Sequence, residues 1–167
     1  LSPQSLKTQP RVPVIPVLDG IRSAMNVGSV FRTADAFRLE RLLLGRICPT
    51  PPQADLRKTA LGAEETVPWQ QQDELVPALL ALKQEGYQLL ALEQTDASIP
   101  LAAYEGMGQP CAEVLGHEVK GVSEEVLAVC DAALEIPQFG AKHSLNVSVS
   151  AGIALHHLAQ PFWANLG

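Results

Sequence analysis

VPVIPVLDGIRSAMNVGSVFRTADAFRLERLLL, residues 12–44, decides the fold class. Val12 to Leu18 is an apolar, β-branched run interrupted by prolines and is read as a strand. Asn26 to Phe37 puts Val27, Val30, Phe31 and Ala34 on one face of a helix, and Leu42 to Leu44 supplies a second strand. Cys48 to Pro52 must be a loop, because its prolines deny it any ladder. The alternation continues: a helix over Leu75 to Glu85 stopping at Gly86, a strand over Tyr87 to Leu92, and another over Ala112 to Leu115. Ser123 then caps a helix through Cys130 with Glu124 and Glu125 in its first turn, Leu134 to Ile136 is a short strand, and Leu145 to Leu158 closes the chain as a helix. Strands joined by helical crossovers predict an α/β fold with a mostly parallel sheet and helices on both faces.

Working outward, residues 1–11 are polar and turn-rich and read as a loose lead-in to one domain over 12–167. At 47% hydrophobic and 18% charged residues, the chain is too apolar for disorder, and it has no apolar run long enough for a membrane span. Three cysteines without a CxxC pair argue against a disulfide framework or a structural zinc site and favour a reducing compartment, with the cytoplasm as the expectation. The first residue is leucine, and nothing near it has the layout of an export signal. The net charge of −6 hides an asymmetry: residues 1–58 hold nine of the twelve Lys and Arg against only Asp19, Asp35, Glu40 and Asp55. A basic segment of this kind attracts phosphates where its cations share a face.

The usual cofactor signatures of α/β proteins are absent. No GxGxxG follows the first strand, and Gly116 to Gly121 has P-loop glycine spacing but lacks the lysine that would meet a phosphate. His117-Glu118 does not continue to a second histidine, and no GxSxG elbow occurs. His156 and His157 project about 100° apart on a helix, a poor geometry for one metal, and read as surface or interface residues. No metal is expected. Three polar segments remain, each at the carboxyl end of an expected strand, where open α/β sheets place their ligands. The first, residues 19–37, sets Asn26 and Arg32 among apolar neighbours, so that Arg32 must pair with a phosphate or with Asp35 or Glu118. The second, residues 115–126, bounds Glu118 with glycines. The third, residues 136–153, starts a helix with Ser144, Asn146 and Ser148, more small polar groups than a packing helix tolerates unless they are hydrogen-bonded.

In this order NVGSVFRTADAF, LGHEVKGVSEEVLAVCD and IPQFGAKHSLNVSVSAGIAL resemble the three motifs of the SpoU (TrmH-like) family of RNA ribose 2′-O-methyltransferases in the SPOUT superfamily, over roughly residues 13–158. The resemblance implies S-adenosylmethionine as methyl donor, tRNA or rRNA as substrate, a homodimer, and a C-terminal trefoil knot, which ordinary topology rules would reject. It places catalytic roles on Arg32, Asn26, Glu118, Ser144 and Asn146. It places cofactor contacts on Leu92, Glu93, Leu115, Gly116, His117, Gly121, Ile136, Pro137, Ser144 and Leu145. One position departs from the family pattern: Glu113 lies in a strand where an apolar residue is usual, which leaves its partner to be found. Two other readings carry the same shape, a catalytically silent RNA-binding module and a base-modifying methyltransferase of the superfamily. The five intact motif residues disfavour the first, and the SpoU-type motifs disfavour the second.

Overall fold

The computed structural model describes residues 1–141 and 144–166; Lys142 and His143, inside the third polar segment, lie outside the described residues. Seven strands, β1 (Val14–Asp19), β2 (Leu42–Gly45), β3 (Trp69–Gln72), β4 (Gln88–Leu92), β5 (Ile99–Pro100), β6 (Cys111–Gly116) and β7 (Ala132–Glu135), form one sheet. Its order is β3-β2-β1-β6-β4-β7-β5, and every pairing is parallel. The helices are α1 (Pro3–Leu6), α2 (Ala24–Ala36), α3 (Ala54–Ala60), α4 (Ala63–Thr66), α5 (Leu75–Gln84), α6 (Glu124–Val129) and α7 (Val147–Ala159).

Because side chains alternate along a strand, β1 feeds two cores at once. Val14 and Leu18 join α2 and α7 on one face, while Ile15 and Val17 join α5 and α6 on the other. Each fully buried Leu, Ile or Val of this kind contributes about 1.5–3 kcal/mol, and β1 and β6 at the centre of the sheet are buried almost throughout. Pro16 is tolerated in this central strand for a geometric reason. The Glu40 N–H donates to the Val14 carbonyl, so even-numbered residues of β1 face β2, and the β2 ladder begins only at Val17 and Leu43. The missing N–H of Pro16 therefore interrupts no ladder bond, and the β6 side runs unbroken. Gly28 permits the closest helix contact: a Cβ there would lie 2.1 Å from the Leu56 carbonyl oxygen and from the Thr59 hydroxyl of α3. Lead-in residues 3–6 form one helical turn with no buried residue, and Arg11 is pinned by donating to the carbonyls of Leu39 (3.1 Å) and Thr66 (2.8 Å).

Several boundaries differ from the sequence reading. Helix α2 starts at Ala24 because the Ser23 hydroxyl accepts the Asn26 N–H (3.2 Å), so Asn26 sits within the first turn. Helix α7 starts at Val147 because Asn146, not Leu145, turns the chain into it. Ser123 occupies the N-cap of α6, yet its hydroxyl makes no capping bond; its N–H donates to Asp19 instead (2.8 Å), tying the end of β1 to α6. Strands β3 and β5 were not anticipated. They are the two sheet edges, the first a polar WQQQ run and the second two residues long, so neither leaves an apolar imprint.

Glu113 is a strand residue at the centre of β6, between Pro16 and Leu90, and it is completely buried. Neither carboxyl oxygen has a hydrogen-bond partner, and the nearby Tyr104 hydroxyl also has none. Burial raises the Glu113 carboxyl well above the ordinary range, and burial, with Cys111 and Glu113 beside it, pushes the Tyr104 phenol up to about 12. The folded chain holds the Glu113 proton more tightly than the unfolded one. That contribution is complete below the unfolded value of about 4.3 and is lost as pH rises toward the folded value. Replacing Glu113 by Leu therefore stabilises the fold by about 1–3 kcal/mol near neutrality. The advantage shrinks toward pH 4, and thermal melting of both proteins across that range checks the magnitude and the sign.

Candidate active site

Strands β4, β6 and β7 end side by side: Leu92 is in register with Leu115 on one flank and Leu134 on the other. Their carboxyl ends, with Ile136 and Leu145, wall a cleft of about 450 Å³. The loop after β6 closes one side. His117 N–H donates to the Gly121 carbonyl (3.0 Å) and Gly121 N–H returns the bond (2.9 Å). The His117 Nδ1 accepts from the N–H groups of Val119 (3.0 Å) and Lys120 (3.1 Å), which fixes the proton-free nitrogen on the loop side. The Glu93 carboxylate accepts the Val122 N–H at 2.7 Å and so bolts the loop after β4 to the loop after β6. Gly116 is required here, because a Cβ would stand 2.2 Å from the Val122 nitrogen and 2.3 Å from the Gly121 carbonyl carbon.

The opposite lip is a chain of hydrogen bonds among the motif residues. Glu118 accepts from the N–H groups of Ser23 (3.1 Å) and Arg22 (3.4 Å), the first turn leading into α2. Partial burial works to raise its carboxyl, but its own N–H, those of Ser23 and Arg22, and the Asn26 amide outweigh that and hold it below the usual range. The Asn26 amide oxygen accepts from Asn146 Nδ2 at 3.3 Å. The Asn146 oxygen in turn accepts from the N–H of Ser148 (2.8 Å), the Ser148 hydroxyl (2.5 Å) and the N–H of Val149 (3.4 Å), capping α7. Three segments far apart in sequence thus share one network.

Of the residues singled out from sequence, Asn26, Glu118, Ser144, Asn146, Leu92, Glu93, Leu115, Gly116, His117, Gly121, Ile136 and Leu145 all line the cleft. Pro137 does not; it is exposed, and Gln138 beside it lines the cleft in its place. Arg32 lies outside the cleft on the exposed face of α2. The two intramolecular pairings weighed for it do not form: Asp35 accepts the Thr66 hydroxyl (2.6 Å), and Glu118 is held by backbone N–H groups. Among the described residues the ion pairs are Arg41 with Glu40, Lys58 with Asp55 and Lys83 with Asp131, so Arg32 is unpaired. The cleft also takes in Gln94, Val119, Lys120, Leu134, Glu135, Val147 and Ser150, which the sequence reading does not single out. Leu134 follows only from strand order, whereas Val147 and Ser150 lay inside a motif already marked. Among the described residues no group of side chains could hold a metal ion.

An open parallel sheet with its cleft at adjoining strand ends defines an α/β domain of the ligand-binding kind. The SpoU rRNA Methylase family profile matches residues 13–156, and the chain belongs to that family. The 23S rRNA (guanosine-2'-O-)-methyltransferase RlmB of Neisseria meningitidis serogroup B is 35% identical over 144 residues, which cover 86% of this chain and 56% of that protein. The chain spans between 53% and 61% of the length of the curated relatives it matches. The A. aeolicus TrmH/SpoU tRNA modifying enzyme superposes with a TM-score of 0.84 at 26% identity, covering 97% of this chain and 84% of the other. A structure described as giving insights into the 2-OH methylation of C/U34 on tRNA superposes at 0.79 and 26% identity, covering 90% and 97%. The trefoil knot is an implication of family membership. Helix α7 packs against α2, β1 and β6.

The Asn146 cap and its amide donor can be separated by substitution. Asn146→Ala lowers stability by about 1 kcal/mol through loss of the α7 cap. Asn146→Asp restores that stability while still lacking the N–H that reaches Asn26. Denaturant unfolding of the two variants beside the parent protein is the measurement.

Proposed function

We propose that this chain carries the catalytic domain of an S-adenosylmethionine-dependent RNA methyltransferase acting on a ribose 2′-hydroxyl of tRNA or rRNA. The observation that carries the reading is the Glu118–Asn26–Asn146 network at the lip of the cleft, with the unpaired Arg32 farther along α2. The cleft fits the cofactor: its volume lies in the small-molecule range, its leucine and isoleucine walls suit a flat purine, and Glu93 and Glu135 offer acceptors for ribose hydroxyls. Family relatives named as 2'-O-methyltransferases support the same reading.

When bound, S-adenosylmethionine supplies an electrophilic methyl group. The chain's own task is then alignment, which provides much of the acceleration in a displacement of this kind. Glu118 and Asn26 fix the start of α2 and thereby the helix that carries Arg32. A guanidinium keeps its proton at neutral pH, so Arg32 acts as a two-pronged clamp on a phosphate of the acceptor RNA, orienting the adjacent hydroxyl, whose proton passes to that phosphate or to water as the oxygen takes the methyl group. Ser144, exposed at the cleft, faces the ribose, while Asn146 holds Asn26 in place.

A second copy of the chain completes the particle in this reading. Leu145, Val149 and Ile153 form an exposed apolar stripe at α7, at 38%, 50% and 42% exposure, and α2, with Met25 at 48%, packs beside that helix. Such a stripe on a domain of this size marks a contact surface. Ile153→Glu is expected to shift the mass measured by light scattering from dimer to monomer. The three free cysteines accord with a reducing compartment, the cytoplasm, and no described helix is long and apolar enough to cross a membrane.

The test is transfer of labelled methyl from S-adenosylmethionine to RNA isolated from cells lacking the protein, followed by mass spectrometry of the nucleosides. A product methylated on the base instead of the ribose overturns the reading. Arg32→Lys should leave cofactor affinity by calorimetry unchanged while slowing single-turnover transfer by about two orders of magnitude, on the order of 3 kcal/mol. Near-parental turnover by the lysine variant removes the clamp.

A further inference from the structure

The loop after β6 is latched by a side chain that seldom serves this task. Every residue from Leu115 to Gly121 lines the cleft, and Glu118, which anchors the approach to α2, sits within that run. The run is folded back on itself by the paired backbone bonds between His117 and Gly121 (3.0 and 2.9 Å), and its tip is held by the His117 ring. Nδ1 accepts the N–H groups two and three residues on, from Val119 at 3.0 Å and from Lys120 at 3.1 Å. A turn is ordinarily closed onto N–H groups at these positions by the side-chain oxygen of Asn, Asp, Ser or Thr. An imidazole nitrogen differs from those oxygens in taking up a proton in the range of about pH 5–8. Once Nδ1 carries a proton it is a donor facing two donors, so the proton and the latch exclude each other.

We propose that His117 is a positioning residue that makes cofactor binding depend on pH: the neutral ring holds residues 117–121 in their binding shape, and a proton on Nδ1 releases them. The proposal rests on the reading of the cleft as an S-adenosylmethionine site. Release reaches beyond the tip, because Val119, Lys120 and Gly121 wall the cleft and Glu118 lies between the latch and its own anchor on Arg22 and Ser23. Affinity is therefore full where the ring is neutral and declines as pH falls, by up to about tenfold per pH unit once the ring is protonated. The charged groups facing the loop are Glu118 and Lys120 on it, Glu93 after β4, Glu135 at the end of β7 and Arg22 ahead of α2. Their titration is common to parent and variant proteins, so a substitution confined to His117 separates its proton from theirs.

The probe is S-adenosylhomocysteine, titrated by calorimetry at about pH 8 and about pH 5.5. The parent protein is expected to bind it about tenfold more weakly at the lower pH. His117→Ala removes the acceptor and is expected to bind weakly at both values. His117→Asn places an amide oxygen where Nδ1 stands, satisfies the same two N–H groups and takes up no proton. It should recover most of the affinity that alanine loses and keep it at the lower pH. An asparagine variant as weak as alanine means that the ring acts by touching the ligand, and one that keeps the parental pH dependence means that the proton is bound elsewhere; either result overturns the proposal. Nitrogen NMR of the ring in the free protein tests the latch without the ligand, the His117 signals being assigned by their loss in the asparagine variant. Nδ1 is expected to be proton-free at the higher pH and protonated at the lower, with the Val119 and Lys120 amide signals shifting in step. A proton on Nδ1 at the higher pH overturns the latch. A parent protein that binds no S-adenosylhomocysteine at either pH, with the ring behaving as expected, overturns the function reading and leaves the latch standing.

Discussion

The Glu118 carboxylate is the contact on which the arrangement of the site depends. It sits on the loop after β6 and accepts the N–H groups of Arg22 and Ser23, which would otherwise be unsatisfied donors ahead of α2. Residues 95 and 96 positions apart in sequence are thereby held within hydrogen-bond distance. An anion at this place also meets the positive end of the helix dipole, so both the pairing and the charge favour the ionised form. Asn26 then extends the tie to Asn146 at the start of α7, and the two helices on one face of the sheet are registered against the loop that closes the cleft.

Charge is distributed to match. The excess of cations in the first 58 residues is carried by exposed side chains on α2, on α3 and at the turns after β1 and β2, while acidic side chains dominate the remainder. A chain with net charge −6 can therefore present a local positive field to a polyanion, and the acidic remainder confines the field to one region.

Much of this was legible in the sequence, and the limits are physical. The central strands and helices α2, α5 and α7 were readable because each buries apolar side chains with a clear period, and most of the motif residues, though neither Arg32 nor Pro137, line the cleft because the segments that carry them follow strand ends. The edge strands were not readable, since β3 faces solvent and carries glutamines. Arg32 was expected among apolar neighbours because its sequence neighbours are apolar. On a helix the side chains of Val30 and Phe31 turn inward while that of Arg32 turns outward, and adjacency in sequence says nothing of that. Strand order was likewise hidden, and with it the place of Leu134 beside Leu92.

The small polar residues of the third segment satisfy one another to a degree that their sequence does not show. Their number suggested ligand contacts, on the ground that buried hydroxyls and amides need partners. Most of those partners are internal: Asn146 uses its oxygen on Ser148 and Val149 and its amide nitrogen on Asn26, and the Ser148 hydroxyl donates to Asn146. Only Ser144 and Ser150 line the cleft without such a bond among the described residues. A motif of this kind is strict because each side chain completes a hydrogen bond for another. Replacing one leaves a second unsatisfied at the lip, so the shape of the cleft lip and the cap of α7 are set by the same atoms.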